Sequence, residues 1–257
     1  MKRPVKLRNY LSYGVGDFLG GGSFAIIGMF YLFFMTQVVG MLPFYAGLVY
    51  FISKMWDAVS DPLMGYISDR TKSRFGRRRL YFLIGILPIG IFFALLWFPI
   101  TISHQVFLFL WYLFVFISFS TFFTILMVPY TALNAEMSLD YKVRAKLSGF
   151  KQFCSGLSGA ICSVASKPLV DSFADPQTGF MVMGIIYGLF FSLPWLAVFF
   201  GTWEVPRQQQ ELKKQSVPAI FSSFITVFKN KSFRTHIGMY ISGFAGMDVV
   251  MSIFLIF

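Results

Sequence analysis

The chain has 257 residues, of which 56% are hydrophobic and 13% charged. Its mean hydropathy of +0.68 excludes an ordinary soluble domain and predicts an all-α polytopic membrane protein. The net charge of +11 would also suit a nucleic-acid-binding protein, but the basic residues form short runs separated by loops that lack them. This alternation is typical of membrane topology, so we expect no nucleic-acid partner.

Seven apolar stretches are long enough to cross a bilayer, at residues 11–37, 43–68, 80–100, 105–131, 147–170, 180–203 and 235–257. Lys and Arg crowd into every second connection, beginning with the N-terminus. By the positive-inside rule, this pattern predicts a multi-pass protein of the cell (inner) membrane, embedded in the lipid bilayer with a cytoplasmic N-terminus.

The order of the stretches predicts three regions: a six-helix transmembrane bundle at 1–203, a basic central loop at 204–234, and the start of a second bundle at 235–257. Transporters with two six-helix halves have such a central loop. Because the chain ends inside the seventh stretch, we expect the second half to be missing and to be required for activity.

The first stretch carries a stripe of small residues on the face that also carries Asp17, namely Gly14, Gly21, Ala25 and Gly28. The fifth stretch has a similar stripe. Small residues allow helices to pack closely, and the same faces would also suit the wall of a cavity. Two interpretations of Asp17 therefore remain open: a contact between helices, or a ligand for a polar solute.

The second stretch contains three ionisable residues, Lys54, Asp57 and Asp61, spaced so that they share one helical face. Each such residue near the bilayer centre costs about 2.5–3.5 kcal/mol, and such residues usually mark an ion or substrate path. Their formal charges sum to minus one, which one monovalent cation would neutralise. The cluster therefore predicts a cation-coupled transporter.

An enzyme is not expected, because no nucleophile–base pair, metal-ligand cluster or phosphate-binding loop occurs at usable spacing. For the same reason the sequence predicts no cofactor and no transition-metal site. Cys154 and Cys162 lie in one apolar stretch and are interpreted as free packing residues.

Three runs that contain charged residues carry a resemblance to a known family: residues 56–65 read WDAVSDPLMG, residues 69–77 read DRTKSRFGR, and residues 139–144 read LDYKVR. In this order and spacing the chain resembles the glycoside–pentoside–hexuronide:cation symporters of the major facilitator superfamily. The resemblance implies a major facilitator-type six-helix N-terminal bundle followed by a seventh helix.

The resemblance also implies a cation site. By its helix-2 pattern, Asp57 and Asp61 would bind the coupling ion. Ser60 and Thr124 would complete the site, and Lys54 would set its electrostatics. Oxygen ligands suit hard ions, so the expected coupling ion is Na⁺ or H⁺ rather than zinc or copper.

The family's sugar-contacting positions are mostly unmatched here, because small or apolar residues replace its charged ones. Lys151 keeps the charge of the arginine that it replaces but loses the bidentate fork. The candidates for binding a polar, sugar-like solute are Asp17, Thr131, Lys151 and Asp248.

The loop after the second stretch resembles the cytoplasmic gate motif of the superfamily, through Asp69, Arg70, Gly76 and Arg77. A loop that only orients the chain in the membrane is the alternative.

The predicted function is cation-coupled symport of a sugar or glycoside-like solute by alternating access. One alternative is a facilitator or exporter of a non-sugar solute on the same fold. The other is a truncated fragment that transports nothing.

Overall fold

The structure, a computed structural model, describes residues 5–100, 104–204 and 230–254, with only the backbone for 241 and 244–254. Within these ranges every regular element is helical, which confirms the all-α prediction. The chain forms two units, Met1–Pro206 and Arg207–Phe257. The first unit contains all of the described candidate site.

The first predicted stretch is not one regular helix. It runs as α1 (Leu7–Gly14), a 3₁₀ turn (Val15–Asp17), α2 (Phe18–Ile26), and two π-helical segments (Ile27–Tyr31 and Phe34–Val38). Glycine is a poor helix former, and three consecutive glycines follow the 3₁₀ turn in α2. Such departures from α-helix often lie at functional sites. Asp17 lies at the first of them.

Four long helices follow: α3 (Pro43–Arg70), α4 (Arg79–Leu96), α5 (Gln105–Met137) and α6 (Tyr141–Asp171). Proline suits the first turn of α3 because the N–H that it lacks would have no helical partner. The Asp140 carboxylate caps α6 by accepting a hydrogen bond from the Lys142 backbone N–H at 2.8 Å. The facing ends of α5 and α6 extend beyond the predicted apolar stretches, because hydrophobicity does not mark polar helix ends.

The sixth predicted stretch divides into α7 (Pro176–Ser192) and α8 (Pro194–Gly201). Pro194 begins α8 because proline cannot donate the hydrogen bond that would continue α7. Asp175 caps α7 through Gln177 and Thr178, and these hydrogen bonds, the Thr178 hydroxyl first, lower the pKa of Asp175.

The second unit contains α9 (Lys231–Phe254), which begins four residues before the predicted start at 235. Most of the predicted central loop, residues 205–229, lies outside the described residues. Among the described helices, four are long and apolar enough to cross a membrane: α4, α5, α6 and the α7–α8 pair.

The small-residue stripe of the first stretch packs against α6. A Cβ atom added at Gly21 would lie 2.0 Å from the Ser155 carbonyl oxygen, and one at Gly14 would lie 3.0 Å from Cys154 Sγ. Gly28, in contrast, has no neighbour within 4 Å of such an atom. The stripe therefore serves close helix packing at Gly14 and Gly21 but not at Gly28.

A cluster of aromatic side chains lies in the core of the bundle. Trp97 stacks on Phe180 with ring centroids 5.7 Å apart, and Tyr31 meets the edge of Trp97 at 5.4 Å. All three side chains are buried. Aromatic pairs add stabilisation beyond the burial of their area, so this cluster fixes how the first predicted stretch packs on the end of α4 and on α7.

Candidate cation and solute site

The contact between α3 and α5 brings two carboxylates to two hydroxyl groups. Asp57 and Asp61 lie one turn apart in the middle of α3, and Ser120 and Thr124 lie one turn apart on α5. Ser120 donates a hydrogen bond to Asp57 Oδ1, and Thr124 donates one to Asp61 Oδ1 at 2.7 Å. Each carboxylate thus has its own hydroxyl partner.

The hydroxyl side of this cluster is buried and the carboxylate side is open. Ser60, Ser120 and Thr124 are 8%, 5% and 3% exposed, and the Ser60 and Thr124 hydroxyl oxygens are 3.4 Å apart. The Asp57 side chain is 27% exposed, and Asp61 is exposed. A small ion can therefore approach oxygens that are held in place from behind.

Lys54 is the positively charged residue of this cluster. Its ammonium lies 3.2 Å from Asp57 Oδ2, and it also lies 5.2 Å from the centre of the Phe24 ring and 5.9 Å from that of Tyr50. Both oxygens of Asp57 therefore have partners. Among the described residues, Asp61 accepts a hydrogen bond only at Oδ1.

Sequence reasoning missed Ser120. The signal was present, because Ser120 and Thr124 repeat on α5 the four-residue spacing of Asp57 and Asp61 on α3. The register between the two helices could not be known from the sequence. A second contact missed in the sequence, the hydrogen bond from Trp56 Nε1 to Thr121 Oγ1 at 2.9 Å, holds the same register.

Two turns further along α5, Thr131 lines an open cavity of about 770 Å³. Lys151 of α6, the other solute ligand predicted there, lines the same cavity. The walls also carry polar residues that the sequence analysis did not select, Tyr13, Asn134, Arg144 and Ser148. The cavity thus offers hydroxyl, amide and cationic groups to a solute.

Asp17, in the 3₁₀ turn of the first predicted stretch, lies at the contact with α6. It is 5% exposed, it has Ser155 as a hydrogen-bond partner, and it interacts electrostatically with Lys151. The cavity-lining residues do not include it. This placement favours the helix-contact interpretation of Asp17. The side chain of Asp248, the fourth predicted solute ligand, lies outside the described residues.

The predicted gate motif forms a network of ion pairs. Arg77 pairs with Glu136, and Arg78 pairs with Glu136 at 3.0 Å and with Asp69 at 2.7 Å. The Arg70 guanidinium lies 3.7 Å from the centre of the Tyr66 ring. The motif therefore joins the α3–α4 loop to the end of α5.

Glu204, which the sequence assigned to the central loop, belongs to this network. Its carboxylate accepts hydrogen bonds from the backbone N–H groups of Arg77, Arg78 and Arg79 at 2.9, 2.8 and 2.9 Å. These groups lead into α4, where a negative charge is favourable. Gly76 has φ +105°, and a Cβ atom there would lie 2.7 Å from Glu204 Oε1, so the loop needs glycine at this position.

Glu204→Ala is expected to lower the stability of the bundle by about 2 kcal/mol, because three backbone N–H groups lose their acceptor. Thermal unfolding of the detergent-solubilised protein measures the loss. Asp171→Ala is the control, since that carboxylate is 59% exposed and paired only with Lys167 among the described residues. An equal change in Tm for both variants would contradict the capping role of Glu204.

The described helices define a multi-pass membrane protein, with carboxylates inside one helix and an open polar cavity. Residues 12–257 match the family described as MFS/sugar transport protein. The chain belongs to this family, in its glycoside–pentoside–hexuronide:cation symporter branch, as the resemblance predicted. This is a family of transporters rather than enzymes.

Several relatives are similar over most of the chain. An uncharacterised symporter of Synechocystis sp. is 30% identical over 84% of this chain and 42% of its own length. The isoprimeverose transporter of Lactiplantibacillus pentosus is 26% identical over 84% of this chain and 46% of its own length. A putative sulfoquinovose importer of Salmonella typhimurium is 27% identical over 88% and 48%, respectively. The chain thus spans less than half the length of each.

Proposed function

We propose that the chain is the N-terminal half of a secondary transporter that couples Na⁺ or H⁺ movement to the symport of a sugar-like solute. The observation that carries the proposal is the pair of carboxylates on α3, each held by a hydroxyl of α5. A second half is required for activity, because substrate sites of such transporters form between two halves. The length of the chain relative to its relatives supports this requirement.

The ion chemistry follows from the charges. Two carboxylates one turn apart in a partly desolvated site cannot both remain ionised cheaply, so they bind a proton or share a cation. Asp57, Asp61, Ser60 and Thr124 supply oxygen ligands, which suit a hard monovalent ion. Lys54 reduces the formal charge of the cluster to minus one, which a single ion neutralises.

The solute binds in the cavity beside Thr131 and Lys151. Its volume of about 770 Å³ lies in the range of small-molecule sites. The hydroxyl and amide groups on its walls match the hydrogen-bonding groups of a sugar. Relatives named for isoprimeverose and sulfoquinovose favour a solute of this kind. Asp17 acts on the site through Lys151. Asp248 stays a prediction from the sequence, because its side chain lies outside the described residues.

In the cell membrane, the N-terminus and the network around Asp69, Arg70, Gly76 and Arg77 face the cytoplasm. The excess of basic residues in this loop supports that orientation. In this position the network closes the cytoplasmic side of the carrier in one phase of the transport cycle.

Transport by proteoliposomes that contain the complete transporter tests the proposal. Radiolabelled glycosides of xylose, glucose and glucuronate are supplied with a Na⁺ gradient, with a proton gradient, or with neither. Accumulation that requires one gradient is expected. Exchange of solute without any effect of a gradient would identify a facilitator, and the absence of exchange would identify a protein that transports nothing. The chain alone, as a monomer, is expected to transport nothing.

Removing either hydroxyl partner is expected to weaken ion binding. Thr124→Ala and Ser120→Ala should each raise the ion concentration for half-maximal uptake about tenfold, because hydrogen bonds to charged groups contribute about 1.5 kcal/mol or more. Ser118→Ala is the matched control, since that hydroxyl donates within α5 to the Phe114 carbonyl at 2.8 Å. An equal shift in all three variants would argue against the assigned ligands.

A further inference from the structure

Lys54 places a monovalent cation in the proposed ion site before any ion binds. Its ammonium lies 3.2 Å from Asp57 Oδ2, while Ser120 occupies Oδ1 of the same carboxylate. Asp61 has its hydroxyl partner at Oδ1 only, among the described residues. The two carboxylates are therefore not equivalent: Asp57 is engaged on both oxygens, and Asp61 keeps one oxygen for an arriving ion.

In the position where it pairs with Asp57, the ammonium also lies close to two aromatic rings. The Phe24 and Tyr50 rings lie 5.2 and 5.9 Å from Lys54 Nζ, at the distance of cation–π interactions. The Lys54 side chain is 44% exposed and carries its ammonium on a flexible four-carbon stem. It can therefore leave Asp57 without losing all of its favourable interactions. Because both side chains are partly exposed, the Lys54–Asp57 pair contributes little stability and can break.

We propose that Lys54 is a tethered competitor of the coupling ion: it neutralises Asp57 while the site is empty, and the ion displaces it. This inference rests on the proposed function. The ion first meets the open oxygen of Asp61 and then takes Asp57 Oδ2, because two positive charges cannot share that oxygen cheaply. The displaced ammonium moves toward the Phe24 and Tyr50 rings.

If the ion displaces Lys54, removing the charge of residue 54 should make the ion bind at a lower concentration. In the complete transporter, Lys54→Gln is expected to lower the ion concentration for half-maximal uptake about fivefold, since an exposed ion pair no longer has to be broken. Lys54→Arg should stay within about twofold of the parent, because it keeps the competing charge. Lys167→Gln is the matched control, as Lys167 pairs with Asp171 at 2.9 Å elsewhere on the bundle. An unchanged or higher ion requirement in Lys54→Gln would overturn the inference.

A second measurement uses the unaltered protein. Amine-reactive labelling of Lys54, quantified by mass spectrometry of its peptide, is expected to rise severalfold when the coupling ion is added at constant ionic strength. Labelling of Lys167 should not change. Labelling of Lys54 that stays constant or falls would show that the ammonium does not leave Asp57, whatever the variants do.

The proposed function and the displacement of Lys54 are contradicted by different results. If uptake by the unaltered transporter depends on no cation gradient, the proposed function is wrong. If uptake does depend on a cation but either Lys54→Gln or the labelling fails to respond as expected, only the displacement of Lys54 is wrong.

Discussion

In the complete transporter, Asp61→Asn is expected to abolish ion-driven accumulation of solute while the protein remains inserted and folded. Asparagine keeps an oxygen that can accept the Thr124 hydrogen bond, so the α3–α5 contact is preserved. It removes the charge that meets the coupling ion. Asp57→Asn should have the same effect, because the site then carries no net negative charge beside Lys54.

The expected loss is large. A membrane potential of 100 mV supplies about 2.3 kcal/mol per charge moved, which corresponds to roughly fiftyfold accumulation of a neutral solute. In the Asp61→Asn variant, accumulation should fall to equilibration, while exchange of solute across the membrane continues. Uptake and exchange are measured in the same proteoliposomes.

Asp171→Asn is the control for this experiment. It removes one carboxylate from the end of α6, where the side chain is 59% exposed and paired with Lys167. Its accumulation should equal that of the parent. If Asp61→Asn also accumulates solute like the parent, the carboxylates of α3 do not couple transport to an ion.

Gly21→Ala is expected to destabilise the bundle by about 3 kcal/mol or more. The added Cβ atom would lie 2.0 Å from the Ser155 carbonyl oxygen and 2.6 Å from the Ser155 carbonyl carbon. Both are backbone atoms, so no side chain can rotate away and α2 must separate from α6. The yield of monodisperse protein and its Tm in detergent measure this effect.

Gly28→Ala provides the matched control for Gly21→Ala. It changes the same residue type further along the first predicted stretch, and a Cβ atom there has no neighbour within 4 Å. It should leave the Tm unchanged or slightly higher, since alanine is the better helix former. Equal losses in both variants would mean that glycine is needed for local backbone conformation rather than for the contact with Ser155.

Several features of the site could be predicted from the sequence because they depend on one helix alone. The helical period places Lys54, Asp57 and Asp61 on one face whatever surrounds them. The hydrophobic pattern likewise located most of the helices. It failed at their polar ends, and at Pro194, where one apolar stretch contains two helices.

Other features required the relation between helices. Ser120 becomes a partner of Asp57 only because α3 and α5 pack in one particular register. Glu204 lies more than a hundred residues from the backbone groups that it caps, and no local pattern marks it. The same holds for Asp17, whose burial against α6 favours the helix-contact interpretation over the solute-ligand one.

The amino-acid sequence by itself determined the membrane class, the resemblance to symporters and the cluster of charges on one face of α3, because hydrophobicity and helical period are properties of consecutive residues. Only the tertiary structure decided which hydroxyl donates to which carboxylate, that Lys54 forms an ion pair with Asp57, and that Thr131 and Lys151 line one cavity. Those contacts join residues distant in the chain, and close packing of side chains rather than local preference selects them.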